Sequence, residues 1–389
     1  MLAQSNESSE KQQFATCETL INCNMETELF EKILSVESTS GTEREFAEYI
    51  EKLVPALSSG IGAGKACSAR RFEVGDGTVN ILFSWGTSGD EMPEVCLCTH
   101  LDTVPPYFPP HSENIAAGAV LPDGNVAAHD DVLITGRGSN DAKGQIFSML
   151  SACLELQEEG FGGSFGLLLL AGEETGSYGA KAFTAAGMGG EWVIVGEPTC
   201  NRMVSASKGT KSFRITLRGK ACHSGYPELG ESAVMKFNDF VNDLKSRIFD
   251  VDPVLGETTW NIGSLVSSNP QNILSPELSF RLYFRTTFSS DGQVSALPDV
   301  WKETFPGIVV EAFGGDTPMR YDVLPGYETA PVSFGSDTPR LTGFRHRAMC
   351  GPGSIFVAHT SREYVLLGDL EKAVEQYKRM VTLICDERY

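Results

Sequence analysis

The chain has 389 residues, of which 41% are hydrophobic and 21% charged, and its formal net charge is −20 at pH 7. The composition is typical of a globular protein that is long enough for two domains. The acidic excess argues against binding to nucleic acid or to an anionic membrane surface, since both need a basic patch. The longest apolar run, at 165–171, is far shorter than a membrane span of about 20 residues.

Two features indicate a cytoplasmic protein. Residues 1–24 are polar and lack the apolar core of a secretory signal and the basic face of a transit peptide, so we interpret them as a flexible tail. The ten cysteines contain no Cys-x-x-Cys pair and no regular spacing. This pattern favours reduced thiols in the core over disulfides or a thiolate zinc site.

The first predicted elements are two helices and a strand pair. Apolar residues recur at helical spacing from Glu26 to Val36 and from Phe46 to Leu53. Arg71–Trp85 alternates apolar and polar residues around a Gly75-Asp76-Gly77 turn, which predicts a hairpin. Residues 107–131 follow the next strand and read as a long loop. Loops of that length are usually functional, so we expect it to form part of the rim of a site.

Strands and helices then alternate. Apolar strands are predicted at 95–99, 165–171 and 192–196, with helices at 144–158 and 178–187 between them. This order predicts an α/β fold with a mostly parallel sheet covered by helices on both faces. The same style returns at Pro331, and the chain closes with a helix over Gly368–Asp386.

The intervening segment has a different pattern. Four stretches alternate with period two, as half-exposed strands do, and two helical stretches separate them. The strands are Lys211–Gly219, Trp260–Val266, Leu278–Phe288 and Ile308–Phe313, and the helices are Glu231–Phe249 and Gln293–Phe305. The order predicts a ferredoxin-like α+β domain. We therefore predict a domain inserted at 204–314, between the two parts of the first domain at 25–203 and 315–389.

Metal-binding side chains follow the predicted parallel strands. In chain order they are His100 and Asp102, Asp141 in a glycine-rich turn, Glu173 and Glu174, Glu197, and His359 near the end. Ligands bind at the carboxyl edge of open α/β sheets, so we expect these side chains to lie together. Adjacent carboxylates repel each other unless a cation lies between them.

This set of side chains predicts amide hydrolysis. Two imidazoles and three carboxylates suit Zn²⁺, Co²⁺ or Mn²⁺, and two metals about 3.5–4 Å apart and bridged by one carboxylate would use all five. The five are His100, Asp141, Glu174, Glu197 and His359. Asp102 is placed to accept the second imidazole proton of His100. Glu173 is left as a general base that takes a proton from metal-activated water and returns it to the leaving nitrogen.

Six motifs carry a resemblance that covers nearly the whole chain. They are THLDTVPP, GRGSNDAKG, AGEETGSYGAKAF, VGEPT, GKACHSGYPELGESA and CGPGSIFVAHTSREY. In this order and spacing they resemble the two-zinc metallopeptidase family of acetylornithine deacetylase, succinyl-diaminopimelate desuccinylase, aminoacylase and carboxypeptidase G. The resemblance implies two Zn²⁺ per subunit, with Co²⁺ or Mn²⁺ as substitutes.

The resemblance also assigns roles to residues. It implies that His100, Asp141 and Glu197 hold one zinc. Asp141 would bridge to a second zinc, which Glu174 and His359 would also hold. It further implies that Glu173 is the base and that Asp102 lies behind His100. It implies that the inserted domain is a lid that forms a homodimer, in which His223 reaches the partner subunit's site and holds the substrate carbonyl. Arg285 is expected to bind the substrate α-carboxylate, and Asn272 and Gly353 are further substrate-binding positions.

The resemblance leaves three functions open. GPGSIFVAHTSREY is similar to acetylornithine deacetylases, whereas THLDTVPPYFPP, HSGYPELGESA and FGSDTP are similar to a eukaryotic branch of deacetylase-like proteins or probable carboxypeptidases. We rank removal of the acyl group from an N-acyl amino acid first and cleavage of dipeptides or of C-terminal residues second. A non-catalytic relative that only binds metal or a partner ranks last, because no ligand and no base is replaced.

Overall fold

A computed structural model describes residues 27–64, 66–75, 77–87 and 91–387. The tail predicted at 1–24 lies outside the described residues. The chain folds into two compact units. Within the described ranges, unit 1 comprises the residues up to Met203, Asp322–Glu328 and those from Ser336 onward, and unit 2 comprises Val204–Tyr321 and Thr329–Gly335.

The elements are numbered here in chain order. The helices are α1 (27–35), α2 (Arg44–Gly60), α3 (Lys143–Glu158), α4 (Tyr178–Ala185), α5 (Ala233–Ser246), α6 (Asp291–Thr304) and α7 (Leu367–Glu387). The strands are β1 (Ser68–Gly75), β2 (Thr78–Trp85), β3 (Val95–His100), β4 (His111–Ile115), β5 (Asp131–Thr135), β6 (Phe165–Leu170), β7 (Trp192–Val195), β8 (Met203–Ser207), β9 (Gly209–Arg218), β10 (Thr259–Val266), β11 (Glu277–Thr286), β12 (Val309–Ala312), β13 (Met319–Arg320), β14 (Thr329–Val332), β15 (His346–Met349) and β16 (Tyr364–Leu366).

Unit 1 is built on a six-stranded sheet in the order β1-β2-β6-β3-β7-β15. Strands β6, β3, β7 and β15 are parallel, and the predicted hairpin β1-β2 adds an antiparallel edge. Successive residues of β3 face opposite sides: Val95 and Leu97 pack beneath α1, α2, α3 and α7, whereas Cys96 and Cys98 pack with α4. Both faces of this sheet are therefore covered, as the sequence predicts.

The strand that precedes the paired carboxylates is a rigid support. Leu167 through Leu170 are fully buried, and they alternate between the two apolar clusters on either side of the sheet. Each buried leucine contributes roughly 1.5–3 kcal/mol to stability. The chain that follows Leu170 is consequently anchored at one end, which restricts where Glu173 and Glu174 can lie.

The segment 107–131 is not the single long loop that the sequence predicts. Strand β4 lies within it and pairs with β5, which pairs in turn with β16. The alternation is hard to recognise in the sequence because β4 is mostly exposed. A small apolar cluster of Leu121, Ala127, Leu133, Val357 and Tyr364 fills the space beside these strands. The segment thus packs on the stretch of chain that carries His359.

Unit 2 contains a four-stranded antiparallel sheet in the order β10-β11-β9-β12. Together with α5 and α6 it follows the strand-helix-strand-strand-helix-strand order of a ferredoxin-like arrangement. Leu278, Phe280, Leu282 and Phe284 of β11 point into one cluster with Trp301 of α6. A second, three-stranded sheet has the order β13-β8-β14, which the sequence did not indicate, and its β13 pairs antiparallel with β8.

Two further features bear on the expectations from composition. Across the described ranges, no helix combines the length and the apolar character needed to cross a bilayer. The eight cysteines described are all free thiols, and four of them, Cys96, Cys98, Cys153 and Cys350, are buried. The core position that the sequence favours for the cysteines therefore holds for four of these eight.

Candidate metal centre

Three neighbouring parallel strands of unit 1 present the first group of candidate ligands. Strand β3 ends at His100, the turn after β6 carries Glu173 and Glu174, and Glu197 follows β7. These strands lie side by side in the order β6-β3-β7. Their carboxyl ends therefore meet at one edge of the sheet, which is the edge that the sequence predicts.

Asp141 joins two histidines that lie far apart in the chain. It lies in the turn before α3, whereas His359 lies between β15 and β16. Oδ1 of Asp141 is 3.1 Å from Nε2 of His100, and Oδ2 is 3.3 Å from Nε2 of His359. Nε2 of His359 is also 2.8 Å from Oε1 of Glu174. The Asp141 carboxylate thus lies between the two imidazoles.

The described residues form two candidate ligand triads that share Asp141. One is His100, Asp141 and Glu197, the other is Asp141, Glu174 and His359, and within each triad the ligand atoms lie within 4.8 Å of one another. A further group of His100, Glu173 and Glu174 meets the same criterion. Imidazole nitrogens and carboxylate oxygens in this number suit borderline divalent metals. The side chains present therefore fit a pair of metal ions with one bridging carboxylate.

The charges of the cluster also favour bound cations. Burial raises the pKa of Glu197 well above its usual value, and the neighbouring carboxylates of Asp141 and Glu173 raise it further. Hydrogen bonds to Asp141 and then Glu174 raise the pKa of His359 to about 10. Among the described lysines and arginines, none forms an ion pair with the carboxylates of the two triads. Protons or divalent cations must supply the missing positive charge.

Glu173 is the carboxylate left outside the triads that share Asp141. Its backbone carbonyl accepts hydrogen bonds from the N–H groups of Gly176 and Ser177 at 3.1 and 3.2 Å, so it begins a tight turn. Burial raises the pKa of Glu173 well above its usual value, and the nearby His100 opposes this shift. A carboxylate with raised proton affinity beside a metal-type cluster has the properties of a general base.

The contacts of Asp102 extend beyond the predicted role. Nδ1 of His100 lies 2.9 Å from the backbone carbonyl oxygen of Asp102 and 3.5 Å from its carboxylate. The Asp102 carboxylate also accepts the N–H groups of Glu173 at 2.9 Å and Glu174 at 3.2 Å, and the hydroxyl of Ser40 at 2.7 Å. The residue therefore contacts the imidazole through both its backbone carbonyl and its carboxylate, and its side chain in addition holds the turn that carries both glutamates.

Residues 96–383 match Peptidase family M20/M25/M40. The chain belongs to this family. A probable carboxypeptidase of Aspergillus clavatus is 30% identical over 386 residues, which are 94% of this chain and 90% of the relative. This M20 chain is therefore a metallo-hydrolase that acts on peptide or amide bonds.

Solved structures share the fold. A tripeptidase from Staphylococcus aureus has a TM-score of 0.71 and 18% identity, and the match covers 93% of this chain and 98% of that one. A dinuclear metal binding peptidase of the M20 family from Bacillus subtilis has a TM-score of 0.62 and 12% identity, over 93% and 98% of the two chains. At these identities the likeness concerns the mixed α/β fold alone.

The remaining predicted site residues of the M20 chain lie in unit 2, except Gly353. His223 is exposed, and its Nδ1 accepts the N–H of Gly225 at 3.1 Å. Ser224 donates its N–H to the carbonyl of Asn272 at 2.9 Å, so the His223 and Asn272 segments run side by side. Both segments lie outside the N-terminal end of β11, whereas Arg285 lies near the C-terminal end of this strand. Eight residues of strand at about 3.3 Å each separate the two ends by roughly 26 Å.

Gly353 lies in unit 1 at a close approach of two backbone segments. It is buried with φ +74°, and a Cβ there would lie 1.8 Å from Oδ1 of Asn140, the residue before Asp141. Its carbonyl accepts the N–H of Cys200 at 2.7 Å. Only glycine combines this backbone conformation with that contact.

Three residues of this M20 site, the half-buried Ser40 and the buried Asp337 and Glu363, were missed by the sequence reasoning. Ser40 contacts Asp102, Glu363 contacts the Asp141 turn, and Asp337 lies near the cluster. Burial raises the pKa of Asp337 to about 6, an effect that the charge of His100 and a hydrogen bond with Ser177 oppose. Asp337 and Glu363 stand in motifs quoted above, FGSDTP and TSREY, but there they served only to mark the resemblance.

Proposed function

We propose that this protein is a two-zinc peptidase that removes a C-terminal residue from small peptides, as a carboxypeptidase or dipeptidase. The observation that carries the proposal is the sharing of Asp141 between two ligand triads, with Glu173 left over beside them. The name of the Aspergillus relative, a probable carboxypeptidase, supports this substrate class. The dinuclear metal binding of the Bacillus subtilis peptidase supports two metals.

The metal ligands follow from the triads. His100 and Glu197 would hold one ion, His359 and Glu174 the other, and Asp141 would bridge them. Bound divalent ions of this kind lower the pKa of water toward about 7 and polarise a carbonyl. The two imidazole Nε2 atoms both face Asp141, as a bridging role of this carboxylate requires.

Glu173 acts as the proton carrier. Its carboxylate takes a proton from the attacking water and delivers it to the leaving nitrogen, and this transfer needs a group that is bound to neither metal. Asp102 holds the Glu173 N–H and so fixes the direction in which the carboxylate points. Burial raises the pKa of Glu173 well above its usual value and so increases the proton affinity of this carboxylate.

Substrate recognition is assigned to unit 2 and to a homodimer. Arg285 would bind the substrate α-carboxylate with its planar fork of donors, with Asn272 and Gly353 as further substrate contacts. His223 would hold the carbonyl oxygen on which negative charge develops. A dipeptide is only about 7 Å long, whereas Arg285 lies at one end of β11 and His223 lies beyond the other end, and these two ends are roughly 26 Å apart. We therefore assign the two residues of one site to different subunits, with His223 coming from the partner subunit of a dimer in which unit 2 acts as lid and interface.

A second candidate is deacylation of N-acyl amino acids, which the segment Gly351–Tyr364 favours through its likeness to acetylornithine deacetylases. The two candidates share the site and differ in the group on the substrate nitrogen. Both require a free α-carboxylate for Arg285. A pairwise comparison of substrates therefore separates them.

The test is a hydrolysis screen of the full chain loaded with Zn²⁺ or Co²⁺. It compares free dipeptides, dipeptides with a blocked amino terminus, N-acetylornithine and other N-acetyl amino acids, each with its C-terminal amide as the matched control. We expect turnover of peptides with a free carboxylate and loss of turnover for the amides. Exclusive turnover of N-acyl amino acids would favour the second candidate, and no turnover of any compound by metal-loaded protein would refute both.

Metal content is measured independently of activity. After dialysis against Zn²⁺, elemental analysis should return about two equivalents per chain, as expected for a bridged pair. Glu174→Ala should lose mainly the second equivalent, because Glu197 and His100 remain for the first. An unchanged stoichiometry in this variant would contradict the ligand assignment.

A further inference from the structure

The glycine-rich turn before α3 forms a concave cluster of backbone donors. Gly136 and Gly138 have φ of 140° and 86°, which residues with a side chain rarely adopt. This conformation directs the N–H groups of Gly138, Asn140 and Asp141 at a single acceptor, Oε1 of Glu363, at 3.0, 3.1 and 3.0 Å. Such a convergence of N–H groups is an anion-binding nest.

The occupant of the nest is itself neutralised. The second carboxylate oxygen of Glu363 accepts a hydrogen bond from Nη1 of Arg137. Arg137 also donates through Nε to the carbonyl of Pro106 at 3.2 Å, and its guanidinium stacks on the Phe108 ring at 4.9 Å. Glu363 and Arg137 are 1% and 2% exposed. A buried carboxylate therefore satisfies four donors, and its charge is balanced by a buried arginine.

These contacts connect the two segments that approach the shared carboxylate. Glu363 lies four residues after His359, and it fixes the backbone N–H of Asp141 itself. Asn140 adds a second link between the segments, because its side-chain amide donates to the carbonyl of Ser354 at 2.9 Å. Without the acceptor oxygen, three buried N–H groups would point at one another without a hydrogen-bond partner, and the turn would lose the hydrogen bonds that stabilise this conformation.

We infer that Glu363 is a positioning residue for the metal centre. It holds the Asp141 carboxylate between His100 and His359 by fixing the Asp141 backbone, and it fills with the chain's own carboxylate a nest that would otherwise bind phosphate or another anion. The inference rests on the proposed ligand role of Asp141. Residues that orient metal ligands from behind typically change metal affinity by about 10–100-fold when they are removed.

The experiment titrates metal-free full-length protein with Co²⁺ and follows visible absorption, with a chelator as competitor to obtain the dissociation constants. Three variants are compared. Glu363→Met removes both acceptor oxygens of the side chain. The double variant Arg137→Met with Glu363→Met also removes the arginine that would otherwise lose its carboxylate partner. Glu363→Gln keeps one acceptor oxygen for the nest. Circular dichroism and thermal unfolding establish that each variant is folded.

The matched control is Gln157→Met at the other end of α3. Gln157 is buried, its Oε1 accepts Ser58 Oγ at 2.6 Å and Trp85 Nε1 at 2.8 Å, and its amide donates to the Ser58 carbonyl at 2.9 Å. Its loss removes a comparable buried hydrogen-bond network some distance from the ligands. This control should lower the melting temperature while leaving Co²⁺ affinity within about twofold, since no ligand is reoriented.

We expect Co²⁺ affinity to fall about 10–100-fold in Glu363→Met and in the double variant, with an altered absorption spectrum, and less in Glu363→Gln. Wild-type affinity and spectrum in any folded variant that lacks both Glu363 oxygens would overturn the inference. If those variants do not fold, Glu363→Gln decides: unchanged affinity and spectrum overturn the inference, and a measurable loss supports it. Failure of the unaltered protein to bind Co²⁺ at all would refute the proposed metal site itself, which is a different result.

Discussion

Asp102→Asn tests whether one buried carboxylate holds the turn that carries both glutamates. Asp102 is fully buried, and its Oδ1 accepts the Glu173 N–H while Oδ2 accepts the Glu174 N–H and the Ser40 hydroxyl. Asparagine has nearly the same shape, but it replaces one acceptor oxygen with an NH₂ donor. The substitution therefore changes hydrogen bonding and charge and leaves the packing intact.

The expected magnitude follows from these contacts. The amide oxygen can still accept from Glu173, and the Ser40 hydroxyl can rotate to accept from the new NH₂ group. The Glu174 N–H then loses its acceptor, at a cost of about 1–3 kcal/mol, and the bond that remains loses the benefit of the charge, which adds about 1 kcal/mol. The free energy of unfolding should fall by about 2–4 kcal/mol, and kcat/KM should fall at least about tenfold because both glutamates are displaced.

Asp252→Asn in unit 2 is the matched control. Oδ1 of Asp252 accepts the N–H groups of Val254 and Leu255, each at 2.9 Å, and Oδ2 accepts the N–H and the hydroxyl of Ser289, both at 3.1 Å. Like Asp102, which accepts two N–H groups and one hydroxyl, Asp252 is a carboxylate that accepts only N–H and hydroxyl donors, here three N–H groups and one hydroxyl, and none of these donors belongs to a candidate ligand. Urea unfolding and steady-state kinetics on both variants, at a temperature where both are folded, make the comparison. Equal loss of stability with wild-type kcat/KM in Asp102→Asn would refute the reasoning.

Two further predictions concern the centre itself. Glu173→Gln should keep both metal equivalents by elemental analysis while kcat falls about 10²–10⁴-fold, the usual contribution of a positioned base; loss of metal would instead make Glu173 a ligand. Because the pKa of His359 is raised to about 10 in the metal-free chain, this imidazole is protonated at pH 7 and must lose its proton to bind metal. Calorimetry in two buffers of different ionisation enthalpy should detect proton release at pH 7, with apparent affinity rising up to about pH 10; binding without proton release would contradict the assignment.

The clustering of the candidate ligands can be predicted from the sequence because each ligand follows a short, recognisable run of residues. Apolar runs that end in His100, Glu174 and Glu197 identify strands and their carboxyl ends together, and the rule that ligands gather at one edge of a parallel sheet then brings them into one cluster. The strand order β6-β3-β7 places these ligands side by side, but no single strand sequence specifies that order. The strand order depends on which strands are buried on both faces. This is a property of the assembled sheet and not of any single strand.

The elements that were missed have weak local patterns. Strand β15 is four residues long and begins with His346 and Arg347, so it does not resemble a buried strand. It is stabilised by pairing with β7 and by stacking of the His346 ring on Trp192, with ring centroids 4.4 Å apart. Strand β4 is similarly polar and mostly exposed. Both strands form because they pair with neighbouring strands, and not because their own residues have a high β-propensity.

The contacts around the ligands could not be predicted for a different reason. Asp102 accepts N–H groups about 70 residues away in the chain, and Glu363 accepts N–H groups more than 220 residues away. These bonds depend on where backbone donors point, and a sequence pattern does not encode that direction. The sequence placed Asp102 behind His100, but the contact of its side chain with the Glu173 turn appears only in the backbone geometry.

The arrangement of unit 2 gives the proposed homodimer a sharp test. Arg285 lies near the last residue of β11 and His223 lies beyond its first, and these two ends are roughly 26 Å apart, so we assign the two residues of one site to different subunits. If His223 completes the partner subunit's site, His223→Ala and Glu173→Ala should each be inactive alone, for different reasons. A mixed dimer of the two variants would contain one site with an intact Glu173 and an intact His223 from across the interface.

Mixing equal amounts of the two inactive variants should therefore restore activity. Random pairing makes about half of the dimers mixed, and each mixed dimer has one good site of two, so recovery should approach about a quarter of wild type. The matched control pairs Glu173→Ala with His359→Ala. In this mixed dimer each chain carries a defect in its own metal centre, so both sites are incomplete and no recovery is expected. Absence of recovery with the His223 variant, when labelled subunits are shown to exchange, would place His223 in its own chain's site or outside catalysis, because exchange alone supplies every other part of the site.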